Sequence, residues 1–232
     1  MNTKPIILAI ETATSSCSVA INTEQGVCLR HEVGSNVHSK VLLSMVSDVL
    51  SEAGIEARDI DAVAVGQGPG SFTGLRIGVG VAQGIAYGIG APMIGVSSLD
   101  ALANQCDDEQ GAVIAGIDAR MGEVYWCEYL KTQQGVQRIG ELKVSPPEDI
   151  VSSGTSKVQL LGNAWAEYSD QLTESLMNNA SVNQAQTYPM ADALLALAQN
   201  AYQRGELISA VDFAPEYVRN DVAKKSSKKA FK

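Results

Sequence analysis

Residues 6–13 are apolar and β-prone, residues 17–22 alternate between apolar and polar, and a turn of hairpin length at 23–26 leads into a third run at 27–33. A helical pattern follows over 39–53, with Ser35 or Asn36 as candidate caps and Gly54 to close it. A buried strand at 62–66, a glycine-rich turn, a long helix to residue 90 and a strand at 92–96 complete the first third. A weaker copy of this order then begins. Residues 112–118, 123–130 and 136–142 read as three hairpin-joined strands, the first turn spanning 119–122. Pro146–Pro147 opens a short helical segment, 158–161 is a strand, 165–176 is helical, and 178–187 is polar and irregular. A last helix at 190–204 gathers Ala193, Leu194, Leu197, Ala198 and Ala201 on one face. The Asp-Asp-Glu-Gln-Gly composition at 107–111 suits an exposed joint between the copies.

Strand triplets followed by helix–strand units, occurring twice, predict an α/β protein of two lobes with the second one reduced. The layout is of the ribonuclease-H/actin-like kind (the ASKHA superfamily), an analogy at the level of fold. The expected division is 1–106 for a first lobe carrying partner-binding helices, 107–223 for a reduced second lobe, and 224–232 for a flexible basic tail.

Charge changes the picture. The 232 residues carry 17 basic and 26 acidic groups, a net of −9, yet Lys224, Lys225, Lys228, Lys229 and Lys232 all lie in the last nine. Without that tail, 12 basic groups face 26 acidic ones, or −14. Nucleic-acid affinity rests mainly on Lys and Arg neutralising phosphates, so the body is expected to repel RNA and the tail to be a solvated terminus. The apolar stretch 5–10 is short, lacks a basic flank and runs into Glu11, so it reads as a strand rather than a leader. No run approaches the roughly 18 apolar residues of a membrane span. Cys17, Cys28, Cys106 and Cys127 are scattered with no ligand-spaced partner, as expected of reduced cysteines in the cytosol.

Candidate chemistry is sparse. Gly66-Gln-Gly-Pro-Gly-Ser-Phe-Thr-Gly74 lies between a strand and a helix. It is either an anion-presenting turn or a tight connection whose Ser71 or Thr73 caps the helix. No Lys-Ser or Lys-Thr follows, so it is no P-loop, and Pro69 and Thr73 stand where a nucleophile elbow needs glycines. The turn from Glu11 to Ser16 lacks the Asp and Gly that a phosphate-clasping hairpin uses, and Glu11 reads as a strand end making structural hydrogen bonds. Asp118 to Gly122 reads as a turn, and His38 as a surface or capping residue. His31 and His38 are the only histidines and lack visible partners for acid–base or zinc chemistry. No catalytic, cofactor or metal set is expected.

Four segments together are specific: Ile7-Leu-Ala-Ile-Glu-Thr-Ala-Thr14, Gly68-Pro-Gly-Ser-Phe-Thr-Gly-Leu-Arg-Ile-Gly78, Asp118-Ala-Arg-Met-Gly-Glu-Val-Tyr-Trp126 and Pro215-Glu-Tyr-Val-Arg219. They resemble the TsaB (YeaZ) family, accessory subunits of bacterial tRNA threonylcarbamoyladenosine biosynthesis. In that family Asp is common where Glu11 stands here. The resemblance implies a fold related to the catalytic subunit TsaD, which transfers threonylcarbamoyl to the adenosine beside the anticodon and holds a metal through a Val-Asn-His-Leu-Glu-Gly-His segment. The matching stretch is Val96-Ser-Ser-Leu-Asp-Ala-Leu102, so Ser98 and Leu102 occupy the histidine positions. What this implies is a non-catalytic scaffold and activator that pairs with a TsaD-like subunit and supports a TsaE-like ATPase. It would form a homodimer when alone, meet tRNA only through the complex and have no membrane contact. The alternatives are a metal-dependent glycoprotease or peptidase-like hydrolase, against which the missing histidines count, and an acyl- or sugar-kinase-like ATPase, against which the altered 11–16 turn counts.

Two helices show where a partner would dock. On the second, Leu75, Gly78, Ala82, Ile85 and Ile89 form a stripe sufficient to pack it on a sheet. The opposite side carries Arg76, Gly80, Gln83, Gly84 and Tyr87, flanked by Ile77 and Gly88, where a solvated helix would place charges. On the first, Val41, Leu42, Leu43, Met45, Val46, Val49, Leu50 and Ala53 cover about 200° of arc, twice the roughly 100° of a one-sided helix. The expected interface is Leu42, Met45, Val46, Val49, Arg76, Ile77, Gly80, Gln83, Gly84 and Tyr87.

Overall fold

A computed structural model describes residues 4–107, 111–132, 135–154 and 157–218. The lysine tail at 224–232, Arg219 and most of the expected joint lie outside them. Strands β1 (Ile7–Glu11), β2 (Ser16–Thr23) and β3 (Gly26–Val33) form an antiparallel meander, followed by helix α1 (His38–Ala53). Strand β4 (Ala62–Gly68), helix α2 (Phe72–Ile89) and strand β5 (Met93–Ser97) then add two parallel strands on the other side of β1. The sheet order is β3-β2-β1-β4-β5. Helix α3 (Ser98–Asn104) follows at once, in a stretch where the sequence pattern predicted no element.

The second lobe repeats this sheet in full. Strands β6 (Gly111–Arg120), β7 (Glu123–Thr132) and β8 (Gly135–Ser145) form the meander. Strand β9 (Val158–Leu161) pairs parallel with β6, and β10 (Ala180–Asn183) parallel with β9, giving the order β10-β9-β6-β7-β8. Both lobes are therefore ribonuclease-H/actin-like, and the reduction is confined to the helices. Where α1 stands in the first lobe, the second has, among the described residues, a single 3₁₀ turn at Pro147–Asp149. The helix expected over 165–176 is broken into α4 (Ala164–Tyr168), a 3₁₀ turn and α5 (Glu174–Met177), because the Thr173 hydroxyl caps a new start by accepting the Leu176 N–H at 3.3 Å. Strand β10 falls in the segment read as irregular. Only Ala180 and Val182 of it pack on the core, and its polar neighbours hide the alternation.

The last helix, α6 (Ala191–Gln203), leaves the lobe in which the sequence places it. It crosses back to the first sheet, where Ala191, Leu194, Leu195, Ala198 and Ala201 cover Ile7, Ala9, Ala20, Ala62, Ala64, Ile94 and Val96. Strand alternation makes this possible. Leu8, Ile10, Val63 and Val65 point the other way, under α1 and α2. Helix α3 joins the lobes: Leu99 and Leu102 pack on the second sheet while Ala101 packs with α6. Its Asp100 carboxylate accepts two bonds from Arg138 (3.0 and 2.9 Å) and one from the Tyr129 hydroxyl (2.8 Å). A cut at residue 106 thus separates the sheets but leaves the first core without one of its faces.

Beyond α6 the chain forms a strap along α2. Ile208 bridges Met93 at the edge of β5, Gln83 donates to the carbonyls of Ala210 (2.9 Å) and Phe213 (3.0 Å), and the Glu216 N–H donates to the Gln67 carbonyl (2.8 Å). Leu194→Ala removes a fully buried side chain from the first lobe's core. It is expected to cost about 2–5 kcal/mol of stability in urea unfolding, as a core leucine does, although residue 194 lies beyond the second lobe's strands.

Candidate functional site

The glycine-rich motif meets the turn between β1 and β2, and the contact is backbone to backbone. The Ser71 N–H donates to the Ala13 carbonyl at 2.6 Å, and the Thr12 hydroxyl donates to the Gly74 carbonyl at 2.9 Å. A Cβ on Gly70 would run into Ala13, and one on Gly74 or Gly78 into Thr12. Gly66, in strand β4, faces the Glu11 carboxylate just as closely. The Ser71 hydroxyl accepts the Gly74 N–H at 3.3 Å, so Ser71, not Thr73, caps α2. Two amides that an anion would need are thereby spent on the chain itself, and the motif works as a tight connection.

Glu11 is wholly buried. One oxygen accepts the Ala13 N–H at 2.6 Å and the other the Ser98 hydroxyl at 2.8 Å. Burial pushes its carboxyl up to about 7, against the Ala13, Ser98 and Thr12 hydrogen bonds that pull it down. Ser98 and Leu102, at the positions of the metal-binding histidines in the resemblance, have other work: Ser98 holds Glu11, and Leu102 is fully buried in the core. Among the described residues, no three of His, Cys, Asp and Glu come together at metal-ligand spacing.

Both histidines converge on Ser16, His31 Nε2 on its hydroxyl (2.8 Å) and His38 Nε2 on its carbonyl (3.2 Å). His38 is therefore buried, contrary to the surface position expected of it. Neither Ser35 nor Asn36 caps α1: the N-cap is Val37, without a side-chain bond, and Asn36 turns the chain at φ +58°. In the second lobe Asp118 closes its hairpin by accepting the Arg120 N–H (2.8 Å) and the Tyr168 hydroxyl (3.0 Å). The two hairpins, the start of α2 and the strap enclose a cleft of about 800 Å³, with Thr14, Thr73, Asp118, Arg120 and Glu216 on its walls.

The expected docking residues divide sharply. Leu42, Met45, Val46 and Val49 are in the core between α1, α2 and the sheet, so the chain itself covers them. The wide apolar arc of α1 is explained by its packing on β2 and α2 together. Ile77 is half-buried against the same core, and Gln83 is spent on the strap. What stays open is a line on α2: Arg76, Gly80, Gly84 and Tyr87, with Tyr87 74% exposed. A Cβ at Gly80, Gly84 or Gly88 would meet nothing within 4 Å. Leu43 (66% exposed) on α1, Phe72 at the start of α2 and Tyr217 in the strap are further exposed apolar groups, outside the expected set. Leu43 stands at one edge of the α1 arc, as Val41 does at the other, so periodicity alone did not say which edge is open; Tyr217 was not legible, because nothing in sequence brings the strap to α2.

Comparison with known proteins agrees with the motifs. The family TsaD, tRNA N6-adenosine threonylcarbamoyltransferase, matches residues 18–227. The tRNA threonylcarbamoyladenosine biosynthesis protein TsaB of Escherichia coli K12 is 38% identical, over 94% of this chain and 96% of its own. This chain belongs to the TsaB (YeaZ) family. TsaB of Haemophilus influenzae is 35% identical over 93% of this chain and 94% of its own. The solved structure of YeaZ from Pseudomonas aeruginosa superposes with a TM-score of 0.85 at 36% identity, covering 92% of this chain and all of that one. The family places the chain in tRNA threonylcarbamoyladenosine biosynthesis.

The buried carboxyl yields a pH prediction. Between the ordinary value of 4.5 and about 7, folded Glu11 keeps a proton that the unfolded chain has lost. Its contribution to stability is fully present below pH 4.5 and is lost as pH rises through about 7. Glu11→Gln preserves shape and removes the titration. The stability of the native chain relative to this variant is expected to fall by about 3 kcal/mol from pH 4.5 to 8. Chemical denaturation at several pH values measures it, and a flat difference refutes the assignment.

Proposed function

We propose that this TsaB-family chain is a non-catalytic scaffold and activator. It pairs with a TsaD-like catalytic subunit, and supports a TsaE-like ATPase, in the transfer of threonylcarbamoyl to the adenosine next to the anticodon of tRNA. The open face of α2 is the docking surface, and a homodimer uses that face when the partner is absent. The setting is the cytoplasm, and tRNA meets this chain only through the complex. No helix among the described residues is long and apolar enough to cross a membrane.

The observation that carries this reading is the stripe Gly80, Gly84 and Gly88, one turn apart and bare to solvent. Each glycine costs up to roughly 1 kcal/mol relative to alanine in a helix. None of the three is required by packing inside the chain, whereas Gly74 and Gly78 on the same helix are. A surface that accepts that cost suits another helix approaching closely, anchored by Tyr87 and Arg76 at its rim. The use of Ser98 and Leu102 in hydrogen bonding and packing supports assigning the chemistry to the partner.

Gly84→Arg places a bulky charge on this stripe at a position where a Cβ meets nothing within 4 Å, so its thermal midpoint is expected to be within a few degrees of the native one. Association with the TsaD-family subunit of the same organism is expected to be lost in co-purification, together with tRNA modification in a reconstituted assay. A native affinity for that variant would place the docking face elsewhere.

A further inference from the structure

Arg76 stands apart from the other described arginines. Arg30, Arg58, Arg120, Arg138 and Arg204 each pair with a carboxylate of this chain. Arg76 pairs with none among the described residues, in a sequence with 26 acidic groups. Aromatic groups hold it instead. Its guanidinium carbon lies 3.8 Å from the centroid of the Phe72 ring, and its Nε donates to the Tyr217 hydroxyl at 3.2 Å. The two rings lie 5.8 Å apart and tilted by 37°. The guanidinium is thus supported on one face and at one edge, and its two terminal nitrogens have no acceptor among the described residues. Those nitrogens form the planar fork that grips a carboxylate or phosphate by parallel bonds. Stacking on an aromatic ring orients the fork and leaves its charge unneutralised.

The fork also lies in line with the docking stripe. Arg76, Gly80 and Gly84 are spaced by four residues along the exposed side of α2, with Tyr87 beyond them. We propose that Arg76 is the charge anchor of this face and grips a carboxylate on the docking helix of a partner protein. The inference rests on the docking reading above and adds the chemistry that fixes the register of the two helices. A protein carboxylate fits better than RNA phosphate. A single held cation on a body at −14 gives little purchase on a polyanion, whereas one aligned ion pair beside a stripe that admits a helix is sufficient to specify orientation.

The test uses the full chain and the TsaD-family subunit of the same organism, both freed of nucleic acid, with affinity measured at low and high salt. Arg76→Ala is expected to weaken binding roughly thirtyfold and to remove most of the salt dependence, the behaviour of a desolvated charge pair. Arg76→Lys, which keeps the charge and loses the fork, is also expected to bind more weakly than the native chain, and it decides the matter should Arg76→Ala lower the thermal midpoint. Native affinity and salt dependence in both variants, with Gly84→Arg still unable to bind, would overturn the anchor and leave the docking face standing. Unimpaired binding by Gly84→Arg would remove the docking face and the anchor together. Should Arg76→Ala keep its affinity for the partner but cost the assembled complex its hold on tRNA, the fork reads phosphate and the proposal is wrong.

Discussion

Thr12 lies against the backbone of helix α2 so closely that one methyl group on Gly74 or Gly78 would part them. Much of the first lobe follows from that contact. The turn after β1 can reach α2 only because the helix offers bare backbone there, and the same approach lets the Thr12 hydroxyl and the Ala13 carbonyl bond to α2 and to the residue that caps it. Glu11 is driven into the interior beside Gly66, and Ser98, the first residue of α3, is recruited to meet its second oxygen. One close approach therefore ties the first hairpin, the glycine-rich connection and the joint between the lobes into a single unit.

The glycines of α2 consequently serve two ends in one helix. Gly74 and Gly78 admit Thr12 from within, while Gly80, Gly84 and Gly88 face outward and admit nothing of this chain. Rotation by about 100° per residue sets the two groups apart. Gln83 marks the border between them, its amide occupied by the strap, and Arg76 donates to Tyr217 of the same strap. An inward contact that holds the fold and an outward one left open are what the proposed docking role asks of one helix.

How far these features were legible depended on whether their cause was local. The two meanders, the connecting strands and both long helices follow from alternation, periodicity and turn residues, and the structure matches them to within a few residues at most ends. The breaks in the 165–176 helix and the short edge strand at 180–183 escaped because capping at Thr173 and pairing with β9 outweighed a weak pattern. Among the expected docking residues, periodicity separated the buried side of α2 from its exposed side. It could not tell that α1 has two apolar neighbours rather than one, which is why Leu42, Met45, Val46 and Val49 looked like surplus surface and are core. The destination of α6 and the position of Tyr217 were closed to sequence reasoning, since each is a contact across more than a hundred residues.

That long return has a consequence during synthesis. The sheet side formed by Ile7, Ala9, Ala62, Ala64 and Ile94 leaves the ribosome early, but the helix that covers it is translated only from residue 191 onward. At roughly 5–20 residues per second, the interval is on the order of 5–20 s. Throughout it the nascent chain presents a flat apolar sheet face to the cell, the kind of surface that chaperones hold. The second lobe is complete in sequence before the first can close, so the half of the molecule that is made first is finished last.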